Sequence, residues 1–168
     1  MNALIEPRSA DEGLLAILHR AKSLIEANDF DKAIPLYAHL LDGELADTLR
    51  GEVLTNLGAA LCLSARGKQG PDALAQLERA RALLTTAISY RPRRDAPVAW
   101  ATTRANLALV FLARYELFGK NDDLMSAHMA LDSTQQILRQ ASETTLHDWV
   151  IAIRDHLVEL RERRATRR

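Results

Sequence analysis

One cysteine, Cys62, stands in the whole chain of 168 residues. A single thiol closes no intrachain disulfide and builds none of the multi-cysteine zinc patterns. Aromatics are few, at 5% of the chain. A charge of one sign is missing as well: Lys+Arg and Asp+Glu number 22 each, for a formal net charge of zero. That balance argues against nucleic acid as the partner, because such binding draws on a large positive field. No stretch approaches the ~18 apolar residues of a membrane span. The opening MNALIEPRSADEG lacks the basic segment and apolar run of a signal peptide. The expectation is a cytoplasmic protein without membrane contact, metal or cofactor. What the chain does have is 48% hydrophobic residues, enough to build a core for one compact domain or one short repeat array.

Those residues recur at steps of three and four, and no long segment alternates with period two. The pattern predicts an all-α chain of about seven helices, over 10–27, 30–41, 46–65, 71–90, 97–117, 122–140 and 145–164. Residues 1–9 are expected to be a flexible lead, 10–164 a single helical domain and 165–168 a basic tail. Gly43, Gly67 and Gly119 each follow an apolar run, where a left-handed C-cap favours glycine. Asp29, Asp95 and Asn121 stand where short polar side chains cap helix starts. Thr145 and Asp148 have the spacing of a capping box. Pro35 must lie in the first turn of the second helix, or kink it.

The helices pair into hairpins over 10–41, 46–90 and 97–140, and the pairs align. A small residue in each first helix precedes one in the second: Ala21 with Ala33, Gly58 with Ala80, Ala108 with Ala127. Small residues are needed where two helices of a hairpin cross closely. "TNLGAAL" at 55–61 and "ANLALVF" at 105–111 share an Asn-Leu-small core: Asn56, Leu57 and Gly58 in one, Asn106, Leu107 and Ala108 in the other. This order resembles the tetratricopeptide repeat, a helix–turn–helix unit of about 34 residues. "KSLIEANDFDKAIPLY" at 22–37 resembles the family's first-helix end, Asn-Asp-Phe turn and Ala-Ile-x-x-Tyr second helix. "APVAWATTRANLALVFLA" at 96–113 is similar to a bacterial long-repeat variant with a Pro-x-x-Trp-Ala lead-in. The chain departs from the family pattern in its longer second and third turns. The final helix, with Leu146, Trp149, Val150, Ile153, Leu157 and Leu160 on one stripe, is expected to cap the array, with dimerisation as the other reading.

Catalytic chemistry is not legible. The five histidines contain no i, i+4 pair and no HExxH. "RGKQGPD" and "FGKNDD" place Gly-Lys after a helix, without the strand and the Ser/Thr of a phosphate loop. Cys62 has no visible base beside it. Arg161–Arg168 reads RERRATRR, a small basic patch or a solvated helix end whose cations suit the helix dipole.

The resemblance implies a right-handed superhelix whose first helices line a concave groove. Carried onto this chain, the groove residues are His19, Lys22 and Glu26; Glu52, Thr55, Ala59 and Cys62; and Thr102, Ala105, Leu109 and Leu112. The repeat-packing residues are Ala21, Ala33, Asn56, Leu57, Gly58, Ala80, Asn106, Leu107, Ala108 and Ala127, with Asn56 and Asn106 tying neighbouring helices through their amides. The expected function is a non-catalytic adaptor or scaffold. It would bind a peptide or amphipathic helix of another protein, or a second copy of itself. The alternative is a small helical regulatory or nucleic-acid-associated protein acting through its Arg-rich end.

Overall fold

A computed structural model describes residues Arg8 to Thr166. The chain is all-α: α1 (Arg8–Glu26), α2 (Phe30–Asp42), α3 (Asp47–Arg66), α4 (Gly70–Tyr90), α5 (Pro97–Phe118), α6 (Asp122–Leu131), α7 (Thr134–Gln140) and α8 (Thr144–Thr166). No helix among the described residues is long and apolar enough to cross a membrane. α1 begins at Arg8, inside the segment expected to be flexible; the rest of that segment, 1–7, and the tail residues 167 and 168 lie outside the described residues.

The helix expected over 122–140 is interrupted. Ser133 takes a left-handed φ of 62° and separates α6 from α7. Taken as one interrupted element, the pair leaves the expected seven. A break frees carbonyls that must find donors. Three are supplied here: Thr134 Oγ1 donates to the Leu131 carbonyl at 2.7 Å, Arg104 Nε donates to the Ala130 carbonyl at 3.0 Å, and Arg104 Nη2 donates to the Met129 carbonyl. The Arg104 guanidinium also lies 4.8 Å from the centre of the Trp100 ring, a cation–π contact that steadies it.

Several local expectations need correction. Of the three glycines, only Gly119 is left-handed, at φ 66°; Gly43 and Gly67 sit at −91° and −86°. The left-handed turn after α1 is made by Asn28 at φ 58°, since a short polar side chain tolerates that region. Asp29 and Asn121 make no side-chain cap bond, and Ala96 rather than Asp95 precedes α5. Thr145 lies inside α8, so the capping box is not formed. Pro35 falls beyond the first turn of α2, on its exposed face, and the helix runs through it.

From α1 to α6 each helix packs on its chain neighbour; α7 packs on α5 and α8, α3 also packs on α5, and α8 also packs on α5 and α6. The core runs along the array between the two layers. It holds Tyr37, Val53, Leu57, Leu61, Leu77, Leu84, Val110, Leu112, Leu131 and Leu138. Ala21, Ala33, Ala80, Ala108 and Ala127 are fully buried, and Leu57 and Leu107 are buried beside them. At Gly58 the approach is closest: a Cβ would meet Leu84 Cγ at 2.6 Å and the Ala80 carbonyl at 3.3 Å. Cys62, Ala65 and Ala101 complete the same core.

α8 buries Val150, Ile153, Leu157 and Leu160 against α5, α6 and α7, and turns Arg161 and Arg163 to solvent. It closes the last hairpin as an end helix does. An end unit touches fewer neighbours than a central one, so it opens first. Ile153→Val is expected to cost about 1 kcal/mol, the usual loss for one buried methylene. Amide exchange will quicken in α8 and leave α3 unchanged; uniform quickening along the chain would show that α8 does not open independently.

Candidate functional site

An open cleft of about 820 Å³ lies across the first helices of the array. α1 supplies Lys22, Ile25 and Glu26, and α3 supplies Glu52, Thr55, Asn56 and Ala59. α5 supplies Val98, Ala99, Thr102 and Asn106. Tyr37 of α2 reaches in from the second layer, Arg91 enters from the end of α4, and Leu146 of α8 closes the far side.

Helical phase explains the lining. On α3 the residues fall at i, i+3, i+4 and i+7, which is one face. Of the groove residues read from the sequence, Lys22, Glu26, Glu52, Thr55, Ala59 and Thr102 line the cleft, and His19, Cys62, Ala105, Leu109 and Leu112 do not. At about 100° per residue, Cys62 is turned roughly 80° from the Glu52 direction, and Leu112 equally from Thr102. α3 packs on α5, and α5 on α8. Cys62, Ala105 and Leu112 are accordingly buried in the core. His19 is exposed outside the cleft, and Leu109 lies about one turn past its end, packed on the core.

The floor is polar and partly tied. Thr55 and Thr103 place their hydroxyl oxygens 3.0 Å apart, joining α3 to α5. Each also lies within bonding distance of a carbonyl on its own helix, Thr55 on Gly51 at 2.8 Å and Thr103 on Ala99 at 2.9 Å. A hydroxyl has one proton, so one threonine donates to its own helix and the other donates across the pair. Arg91 Nη1 donates to Thr55 Oγ1 at 3.4 Å. Asn56 of α3 and Tyr37 of α2 line the cleft together, where α2 and α3 pack. Asn106 Nδ2 donates to the Thr102 carbonyl of its own helix at 3.0 Å, where a tie to a neighbouring helix was expected.

Charge along the cleft is mixed. Lys22 Nζ pairs with Glu52 Oε1 at 2.6 Å, across α1 and α3. Arg91 is half-buried and carries no ion pair among the described residues. Burial works against its charge, and the Glu52 carboxylate favours it. Room for Arg91 comes from Gly51, where a Cβ would stand 2.9 Å from Arg91 Cγ and 3.0 Å from Tyr90 Cβ. Burial, aided by Glu52, pushes the Tyr37 hydroxyl up to about 12, so it stays neutral at physiological pH.

The cleft residues that the repeat pattern does not assign to the groove are Ile25, Arg91, Val98 and Ala99, with Tyr37 in the second-helix motif, Leu146 on the stripe of the final helix, and Asn56 and Asn106 as packing. The RPRR run at 91–94 was the one visible sign of a cation there, at the end of a second helix and outside the first-helix pattern.

Cys62 is buried, and burial pushes its thiol up to about 12. Arg66 pulls the other way to a smaller extent. The nucleophilic thiolate is therefore scarce at neutral pH. A thiol-specific disulfide reagent is expected to leave the native protein unmodified and to label it fully in denaturant; rapid native labelling would contradict the burial. No group of three His, Cys, Asp or Glu among the described residues is placed to hold a metal ion. Comparison with protein-family models, curated proteins and solved structures found no match to the chain.

Proposed function

We propose that the chain is a non-catalytic protein-binding module of the tetratricopeptide type, acting as an adaptor or scaffold in the cytoplasm. Its ligand is an extended peptide or an amphipathic helix of another protein. The supporting observation is the cleft itself. It runs across α1, α3, α5 and α8, and sets apolar Ile25, Ala59, Val98 and Leu146 beside side-chain amides and hydroxyls. Apolar surface anchors a segment, and amides with spare hydrogen-bonding capacity match a peptide backbone. Asn106 spends one amide hydrogen on Thr102 and keeps its other groups for a ligand.

Ala59→Arg tests the assignment. Ala59 is half-buried on the cleft face of α3, so a long cation there fills the cleft without entering the core. Peptides selected by display on the full chain are expected to lose affinity by about tenfold or more, which is 1.4 kcal/mol. Helicity and melting temperature should be unchanged. Undiminished binding by the variant rejects the cleft as the site. Ala105→Arg is no substitute, because Ala105 is fully buried and a cation there breaks the fold.

A further inference from the structure

We infer that the cleft selects segments carrying an acidic side chain beside an aliphatic one, and that Arg91 is the residue that reads the acid. This rests on the binding reading above and adds the chemistry of the partner.

The charges of the cleft do not contribute equally. Lys22 and Glu52 are 2.6 Å apart and offset one another. Glu26, at the end of α1, is exposed to water, where solvent and salt screen it. Arg91 is different: it is half-buried, its one hydrogen bond is a long one to the Thr55 hydroxyl, and no carboxylate lies within ion-pair distance among the described residues. Glu52, the nearby carboxylate, is already held by Lys22.

A guanidinium presents five N–H donors in a planar fork that matches a carboxylate. At Arg91 one donor is used by Thr55 and the remainder are available to the cleft. Gly51 lets the stem of Arg91 lie against α3, which limits its freedom and lowers the entropy lost when an acid docks. Val98 and Leu146 supply apolar surface to the same cleft, and Ala59 leaves space for an aliphatic anchor. A segment with Asp or Glu near Leu, Ile or Val satisfies both features. A basic segment would instead place its cation near Arg91, which has no ion-pair partner among the described residues, at a desolvation cost without a pair.

The probe is a library of random linear peptides displayed on phage and selected on the full chain. The selected consensus is then synthesised with its acid and with the matching amide. Selection is expected to enrich one acidic position next to an aliphatic one. Acid-to-amide exchange in the peptide should weaken binding to the unaltered chain by about tenfold or more, the scale of a charge-assisted hydrogen bond. On Arg91→Gln the same exchange should change affinity less than about twofold, by the logic of a double-mutant cycle. Arg91→Lys keeps the charge and loses the fork. It should recover part of the preference, and it provides the comparison if Arg91→Gln is unfolded by circular dichroism. Enrichment of peptides with no acid, or an acid preference that survives intact in Arg91→Gln, overturns the inference while binding itself stands. Selected peptides that bind Ala59→Arg undiminished, or no enrichment at all, overturn both the inference and the cleft as a binding site.

Discussion

Replacing Arg114 with Met is expected to destabilise the fold by about 3–5 kcal/mol at neutral pH, the cost of leaving a buried charge without its partner. Arg114 on α5 faces two carboxylates. Its Nη2 is 3.3 Å from Glu78 of α4, and its Nε is 3.4 Å from Asp123 of α6. Asp123 is 4% exposed, so its carboxylate has little water to turn to. Glu78 has a second cation, Arg81, at 3.1 Å. The loss therefore falls mainly on Asp123. Burial holds its carboxyl above the ordinary 3.8, and Arg114 is the largest influence in the other direction. A carboxyl raised in the folded state holds its proton more tightly there than in the unfolded chain. Stability then increases as pH falls through the folded value toward 3.8, because the charged form is the costly one. Without Arg114 the folded value rises further, so the deficit of the variant shrinks on mild acidification. Urea unfolding of both proteins at neutral and mildly acid pH measures this. A deficit that stays constant, or grows toward acid pH, refutes the role given to Asp123. Asp123→Asn keeps the shape, removes the charge and leaves Arg114 with Glu78, so its cost should be the smaller one.

Gly58→Val is expected to cost about 3 kcal/mol, at the upper end of overpacking penalties. A Cβ at this position already stands 2.6 Å from Leu84 Cγ and 3.0 Å from Leu84 Cδ2, and two further methyls have nowhere to go. Leu84 is fully buried and cannot swing into solvent. Even Gly58→Ala must push Leu84 aside, against a gain of roughly 1 kcal/mol from better helix propensity. The diagnostic is a cycle with Leu84→Ala. That truncation removes the clashing atoms, so Gly58→Ala should change from destabilising to stabilising in its background. The same sign in both backgrounds would place the constraint in the backbone contact with the Ala80 carbonyl, 3.3 Å away.

The two variants probe features of different legibility. Gly58 announced itself: a small residue after Asn-Leu, with Ala80 and Leu84 in step on the following helix. Its close approach follows from spacing along two neighbouring helices, which sequence records directly. The Arg114–Glu78–Asp123 cluster had no such mark. Its members come from three helices and meet only because α4, α5 and α6 pack side by side. The break at Ser133 falls between these cases. Asp-Ser-Thr at 132–134 is a short polar cluster, a turn signal. What permits the break is Arg104, 25 and 26 residues earlier, which donates to the carbonyls it frees.

Local order in this protein belongs to the sequence. The three- and four-residue recurrence of apolar positions set the helices, because periodicity is a property of neighbours along the chain. The small residues at hairpin crossings belong to the same level. The cleft does not. Thr55 and Cys62 were equivalent in the repeat pattern, yet one lines the cleft and the other is sealed in the core. Seven residues apart, the two share nearly one face of α3, so the difference is how far along the helix the cleft runs before its neighbours close over it, and helix-to-helix packing sets that, with no trace in the spacing. Arg91 shows the same limit from the other side. It stands outside every helix stripe, and only the fold of the α3–α4 hairpin, with Gly51 giving way to its stem, carries its guanidinium into the cleft.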